Sequence, residues 1–234
     1  ERKKIADTNR NYILDNFSSK MIGKKYYNLI NNINFNSSNY WERRYAKGGD
    51  SGDGSYGNLE KFKTETINHI LKKYNICNAI EFGCGDGNQL KNINYNNYKG
   101  FDVSKTAINI CKETYCTNKN FSFELVKKYS GETSKLTLSL DVIFHLIEED
   151  VFNNYMKLLF NASEQFVLIY SSNTNTQIDE GVKHFKNRNF TDWVTINFKE
   201  FELIEKIPNK YQYHRDSNTG SVSDFYLFKK GEDL

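Results

Sequence analysis

The residues best suited to chemistry in this chain are Glu81-Phe82-Gly83-Cys84-Gly85-Asp86-Gly87 and, 21 positions after Glu81, Asp102. Glycines let a backbone approach a ligand closely and adopt positive φ, and the N–H groups at the start of a following helix can face an acceptor atom. Asp102 closes the segment Tyr98-Lys99-Gly100-Phe101-Asp102-Val103-Ser104. A carboxylate at such a strand end can accept hydrogen bonds from both hydroxyls of a ribose. Taken singly, the glycines could be only a tight turn and Asp102 only a solvated strand end or helix cap. Their spacing joins them into one candidate site.

A second constellation is Ser139-Leu140-Asp141-Val142-Ile143-Phe144-His145, leading into Leu146-Ile147-Glu148-Glu149-Asp150. His145 sits where a strand opens onto a cleft and is a candidate general base, with Glu148 as its orienter or as an alternative base. A packing histidine is the competing reading, and Glu149 and Asp150 read as helix-start acids favoured by the dipole. Asp141 and Glu148 could offer oxygens to a metal, but no compact ligand set accompanies them, so no metal site is expected. Further on, His184, Lys186, Arg188 and Trp193 interleave cations with aromatic rings. Arginine forks and indole faces bind phosphates, carboxylates and sugar rings, which makes His184, Arg188 and Trp193 candidate substrate contacts. Lys186 reads as solvated, and Trp193 has a core residue as its alternative. Tyr45, in Tyr40-Trp41-Glu42-Arg43-Arg44-Tyr45, is a fourth candidate contact, although packing of a helix explains that aromatic cluster nearly as well.

Regular elements must position these groups. Leu59, Phe62, Ile67, Ile70, Leu71 and Tyr74 recur at helical spacing, predicting an amphipathic helix to about residue 73. Apolar runs predict strands over 77–82, 98–102, 121–124, 136–144 and 166–170, with helical faces between them at Ala107, Ile108, Cys111, Tyr115 and at Val151, Phe152, Tyr155, Met156, Leu159. Residues 127–135 are too few for a full crossover helix. Strands separated by helices imply a parallel sheet. Residues 201–207 and 223–228 read as two strands with no full helix between them, which suits an antiparallel sheet edge. Before the core, residues 1–38 suggest one or two helices, and Gly48 to Gly57 forms a glycine-rich loop, a lid or a linker. The expected organisation is an N-terminal helical extension with this loop over residues 1–57, and one α/β domain over 58–234.

The glycines follow G-x-G-x-G after an acid. A dinucleotide fingerprint would instead place a small residue at position 88, which is Asn88. The motif resembles the first motif of class I S-adenosylmethionine-dependent methyltransferases, over about residues 59–171. That resemblance implies a Rossmann-like, mostly parallel seven-stranded sheet with an antiparallel C-terminal edge and helices on both faces. It also implies S-adenosyl-L-methionine as cofactor, held by Glu81, Gly83, Cys84, Gly85, Gly87, Asp102, Val103 and Asp141. No clear acid ends the third strand to meet an adenine amine. The combination of residues 41–45, 48–57, 81–90, 141–146 and 184–193 is similar to methyltransferases of bacterial capsule and surface-polysaccharide biosynthesis. This implies O-methylation of a sugar, with a small molecule, nucleotide-sugar or glycan precursor as acceptor. Methylation of another small molecule, RNA or protein, a nicotinamide oxidoreductase, and a non-catalytic cofactor-binding scaffold are the rivals.

The totals narrow this. The 234 residues suit one substantial domain, 38% are hydrophobic, and the chain carries a single proline, Pro208. An Asp/Asn-Pro-Pro-aromatic motif, the mark of exocyclic-amine nucleic-acid methyltransferases, is therefore absent. A net charge of +3 from scattered lysines argues against a dedicated nucleic-acid binder. Mean hydropathy is -0.72, and no apolar run reaches the roughly 18 residues of a membrane span, so a cytoplasmic protein is expected. Cys77, Cys84, Cys111 and Cys116 lack zinc-site spacing and read as buried free thiols.

Overall fold

The computed structural model describes residues 18, 22–23, 35–177, 184–214, 216 and 219–231. The helices expected before residue 37 lie largely outside them. Ser37–Leu234 is one compact unit. It takes in residues 37–57. Five α-helices of this unit are α1 (Ser37–Ala46), α2 (Gly57–Lys73), α3 (Lys105–Thr114), α4 (Glu149–Asn161) and α5 (Phe190–Asn197). The strands are β1 (Asn78–Phe82), β2 (Asn97–Asp102), β3 (Phe121–Leu125), β4 (Ser134–Leu140), β5 (Ser163–Ser171), β6 (Phe201–Ile207) and β7 (Asp224–Lys230).

They form one seven-stranded sheet in the order β3-β2-β1-β4-β5-β7-β6. The first five pair in parallel, and β7 enters antiparallel between β5 and β6. The interior strand β5, Ser-Glu-Gln-Phe-Val-Leu-Ile-Tyr-Ser, is continuously apolar in its middle because both of its faces are covered. Leu168 and Tyr170 meet α2 on one face through Phe62, Ile67 and Ile70. Val167 and Ile169 meet α4 and α5 on the other through Phe152, Met156 and Phe190. Side-chain alternation along the strand thus divides the core into two layers.

Several local readings change. The apolar run 136–144 is not one strand: β4 ends at Leu140, Asp141 takes the left-handed φ of 58°, and Ile143–His145 is a 3₁₀ turn. Periodicity cannot separate a buried strand from a buried turn that continues it. The glycine turn after β1 leads into a 3₁₀ segment, Asn88–Asn92, and not into an α-helix. Only a few residues remain before β2, and the asparagines there offer the backbone local hydrogen bonds that compete with helix. Residues 190–197, for which no apolar run or helical face is expected above, form helix α5 and carry Trp193. Cys84 and Cys111 are buried, whereas Cys77 and Cys116 are exposed, because the latter two flank the ends of elements at the sheet margin. The link 127–135 holds only the 3₁₀ turn Val126–Lys128. Among the described residues no helix is long and apolar enough to cross a membrane.

Candidate active site

In this sheet the order of chain connection reverses between the parallel neighbours β1 and β4, and open α/β sheets bind ligands at the carboxyl ends of such strands. A cavity of about 510 Å³ lies there, within the usual range of small-molecule sites, about 300 to 1,000 Å³. Its wall brings together Glu81, Gly83, Cys84, Gly85, Asp102, Val103, Asp141, His145 and Tyr45. The remaining wall is more apolar and includes Phe82, Phe101, Val126, Leu146, Val151 and Leu158.

Asp102 is held rigidly. Gly85 N–H donates to its Oδ2 at 3.0 Å and Ser104 N–H to its Oδ1 at 2.8 Å. Burial raises its pKa to about 6. Glu81 accepts from the Tyr98 hydroxyl at 2.6 Å, and burial pushes its pKa up to about 7. Both acids stand at the edge of ionisation near neutral pH, so a cationic ligand gains a counter-charge there.

The shift at Glu81 has a consequence for folding. The carboxyl loses its proton near pH 4.5 when unfolded and near 7 when folded, so the native state holds a proton that the unfolded chain has released. Stability is therefore highest below about pH 4.5, as far as this group is concerned, and falls by about 3 kcal/mol as pH rises to 7. Asp102 acts in the same direction. Calorimetric melting between pH 5 and 8 should show this decline in the wild type and a flatter profile in Glu81→Gln; equal slopes would refute the assignment.

The glycine-rich loop before α2 packs directly on the cofactor-type loop. Ser51 N–H donates to Asp86 Oδ2 at 3.0 Å, the Tyr56 hydroxyl to the same oxygen at 3.2 Å, and Asn88 Nδ2 to Ser55 O at 2.6 Å. Arg44 braces the loop by donating to the Asp50 carbonyl and carboxylate at 2.7 and 3.0 Å. Helix α1 is fastened on two sides: Glu42 accepts from the Ser104 and Thr106 hydroxyls at 2.7 and 2.8 Å, and Ser37 N–H donates to Glu148 at 2.9 Å. Gly85 shows how close this contact is. It has φ +56°, and a Cβ there would stand 2.4 Å from Ser51 Oγ and 2.8 Å from the Tyr45 hydroxyl. Gly85→Ala should cost about 1 to 3 kcal/mol from strain and overpacking, read as a lower melting temperature. An unchanged melting temperature would mean that the loop yields freely.

His145 donates from Nδ1 to the His184 carbonyl at 2.7 Å. A carbonyl only accepts, so the proton sits on Nδ1 and Nε2 keeps its lone pair. Burial pulls the pKa down to about 4, leaving the ring neutral at physiological pH. Trp41 meets it edge-on with ring centres 4.8 Å apart. The other sequence candidates lie outside the cavity wall. Glu148 is taken up by Ser37 through N–H and hydroxyl. His184 reaches the site through its carbonyl, while its ring stacks on Tyr40 at 4.8 Å. Arg188 is buried over Phe152 and donates to Ile147 O and Glu149 at 3.0 and 3.2 Å. Trp193, on α5, donates to Asn153 at 2.7 Å and packs against Phe152. Gly87, at φ +75°, ends the glycine turn next to Cys111 and Tyr115.

Among the wall residues that the sequence does not assign to the site are Lys63, Gln89 and Tyr155, the last expected only as part of an inward helical face. Lys63 lies on the stripe Leu59-Lys63-Ile67-Leu71, four residues apart, and a charge on the inward stripe of an amphipathic helix was the available signal. Its ammonium, 1% exposed, pairs with Asp141 at 2.8 Å, and Asp141 also accepts from Ser223 at 3.1 Å. Tyr155 donates to Phe82 O or Ser139 at 2.8 and 2.7 Å, joining α4 to the ends of β1 and β4.

No protein-family model matches the chain, and no curated protein matches it in sequence. Solved structures do match. The N-methyltransferase NodS from Bradyrhizobium japonicum, in complex with S-adenosyl-L-homocysteine, superposes with a TM-score of 0.67 at 15% identity, covering 85% of this chain and 100% of that one. The chain has the class I methyltransferase fold. The methyltransferase domain of bacterial CtHen1-C superposes with a TM-score of 0.58 at 21% identity over 75% of this chain and 100% of that one. The CcbJ methyltransferase from Streptomyces caelestis gives 0.57 at 10% identity over 85% and 100%. Identities this low carry the fold and leave the acceptor open.

Proposed function

We propose that this class I fold is an S-adenosylmethionine-dependent methyltransferase that O-methylates a sugar or glycan precursor. The observation that carries the cofactor assignment is Asp102 pinned by the Gly85 and Ser104 amides at the wall of the switch-point cavity. The residues present fit this cofactor. Asp102 keeps lone pairs for ribose hydroxyls, and the apolar wall at Phe101, Val126, Leu146 and Leu158 suits a base. Gln89 Oε1 is buried with no hydrogen-bond partner at the same wall, an acceptor for an ammonium group. When bound, S-adenosylmethionine supplies an electrophilic methyl group on a sulfonium.

This chain's own part is to align an acceptor and take its proton. A hydroxyl must give up its proton as it attacks, and His145, neutral with Nε2 as its lone-pair nitrogen, is the base we assign. Trp41 and Tyr45 line the same cavity, and the partly exposed Trp41 supplies an aromatic surface for a sugar ring. The sugar acceptor rests on the resemblance of residues 41–45, 48–57, 81–90, 141–146 and 184–193 to capsule and surface-polysaccharide methyltransferases.

Calorimetric titration with S-adenosylmethionine, S-adenosylhomocysteine and NAD should give binding of the first two alone. Transfer of labelled methyl to a panel of nucleotide sugars should follow. Binding of NAD alone, or of none, overturns the cofactor; methyl transfer to RNA or protein in preference to sugars overturns the acceptor.

A further inference from the structure

His145 is enclosed by rings from α1, from its own turn and from residue 184. Trp41, on α1, meets the imidazole edge-on at 4.8 Å, Phe144 meets it at 4.5 Å, and the His184 ring stacks on it at 5.6 Å and 22°. The bond that sets the tautomer runs to the His184 carbonyl, so the position of residue 184 decides which nitrogen of His145 carries the proton. Tyr40 reaches residue 184 from α1: its ring lies on the His184 ring with centres 4.8 Å apart and planes 12° from parallel. The Tyr40 hydroxyl has a separate partner in the Arg44 side chain. Tyr40 is half-buried and belongs to neither core layer, so core packing does not account for this stack. Two bonds place the segment after residue 184, Lys186 N–H to Phe144 O at 2.7 Å and Arg188 to Ile147 O at 3.0 Å. Residue 184 itself is met by the rings of Tyr40 and His145.

We propose that Tyr40 is a positioning residue: its ring holds His184 so that the carbonyl there fixes His145 as the Nδ1–H tautomer, with Nε2 left as the lone-pair nitrogen. This inference rests on the reading of His145 as the base. An imidazole whose partner is not fixed shares its proton between both nitrogens, and a molecule protonated on Nε2 lacks the acceptor that the base needs there. The same ring loses its low pKa when the groups around it open to water. The charged or titratable groups facing it are His184, Asp141 at the end of β4 and Arg44 on α1, and burial outweighs them.

The test compares the full chain as wild type, Tyr40→Ala and Tyr40→Phe by nitrogen-15 NMR of the histidine rings, with the His145 signals assigned by their loss in His145→Ala. The NMR arm needs no acceptor; kcat is read beside it with the acceptor that the nucleotide-sugar panel yields. The wild type should show His145 as the Nδ1–H tautomer, Tyr40→Ala a mixture of both, and Tyr40→Phe, which keeps the ring, the wild-type form. In Tyr40→Ala kcat should fall roughly three- to tenfold, the scale of one lost ring stack. That deficit should grow as pH falls below about 6.5, the ordinary imidazole value, and Tyr40→Phe should restore both rate and profile. A wild type protonated on Nε2, or a Tyr40→Ala protein that keeps the Nδ1–H tautomer, overturns the inference. So does a Tyr40→Phe protein as impaired as Tyr40→Ala, which would move the effect to the hydroxyl and Arg44. A shifted tautomer with unchanged kcat supports Tyr40 as the positioning residue and overturns His145 as the base. Should Tyr40→Ala fail to fold, Tyr40→Leu takes its place with the same outcomes.

Discussion

Asp102→Ala is expected to weaken S-adenosylhomocysteine binding by about 100-fold, because two charge-assisted hydrogen bonds to ribose hydroxyls are lost at about 1.5 kcal/mol or more each. The preorganisation of this carboxylate makes the effect large. Gly85 and Ser104 fix both of its oxygens before any ligand arrives, so little ordering cost is left for binding. The substitution also leaves those two amides without their acceptor, and the melting temperature should fall as well. Asp102→Asn separates the two contributions. It keeps the shape but presents an NH₂ group to one of the amide donors, so it should lose binding while keeping more of the stability. Calorimetric affinity within threefold of wild type in both variants would remove Asp102 from the site.

His145→Ala should lower kcat by about 100-fold to 10,000-fold at saturating cofactor while leaving cofactor affinity within a few-fold. The pH profile adds a test that packing alone would not meet. Burial holds the imidazole near pKa 4, so the base is already neutral above about pH 5, and kcat should be flat from pH 5 to 8 as far as this group is concerned. An imidazole at its ordinary pKa would instead give a rate rising through pH 6.5. Glu81 and Asp102 ionise between about pH 6 and 7, so kcat/KM for the cofactor should still rise across that interval. A His145→Ala protein with undiminished kcat would return this residue to a purely structural role, holding Trp41 and the 184–188 segment in place.

Much of this was legible from the chain alone. The apolar runs of β1, β2 and β5 and the stripe of α2 determine which residues are buried, and the alternation of strand and helix determines an open, mostly parallel sheet. Glu81, the glycines and Asp102 were readable together because β1, its turn and β2 are consecutive, so local order places both carboxyl ends side by side. Tertiary structure decided the rest. Periodicity says which side of an element is inward but not what it meets there, and Lys63 with Asp141, 78 residues apart, become partners only when α2 is laid over the end of β4. The folded chain likewise sets Ser51 against Asp86 and assigns Glu148 to Ser37 instead of to His145, and its β4 stops at Leu140. These polar pairings follow from desolvation: once the elements close on one another, each buried donor or charge must find a partner within reach, and that geometry exists only in the folded chain.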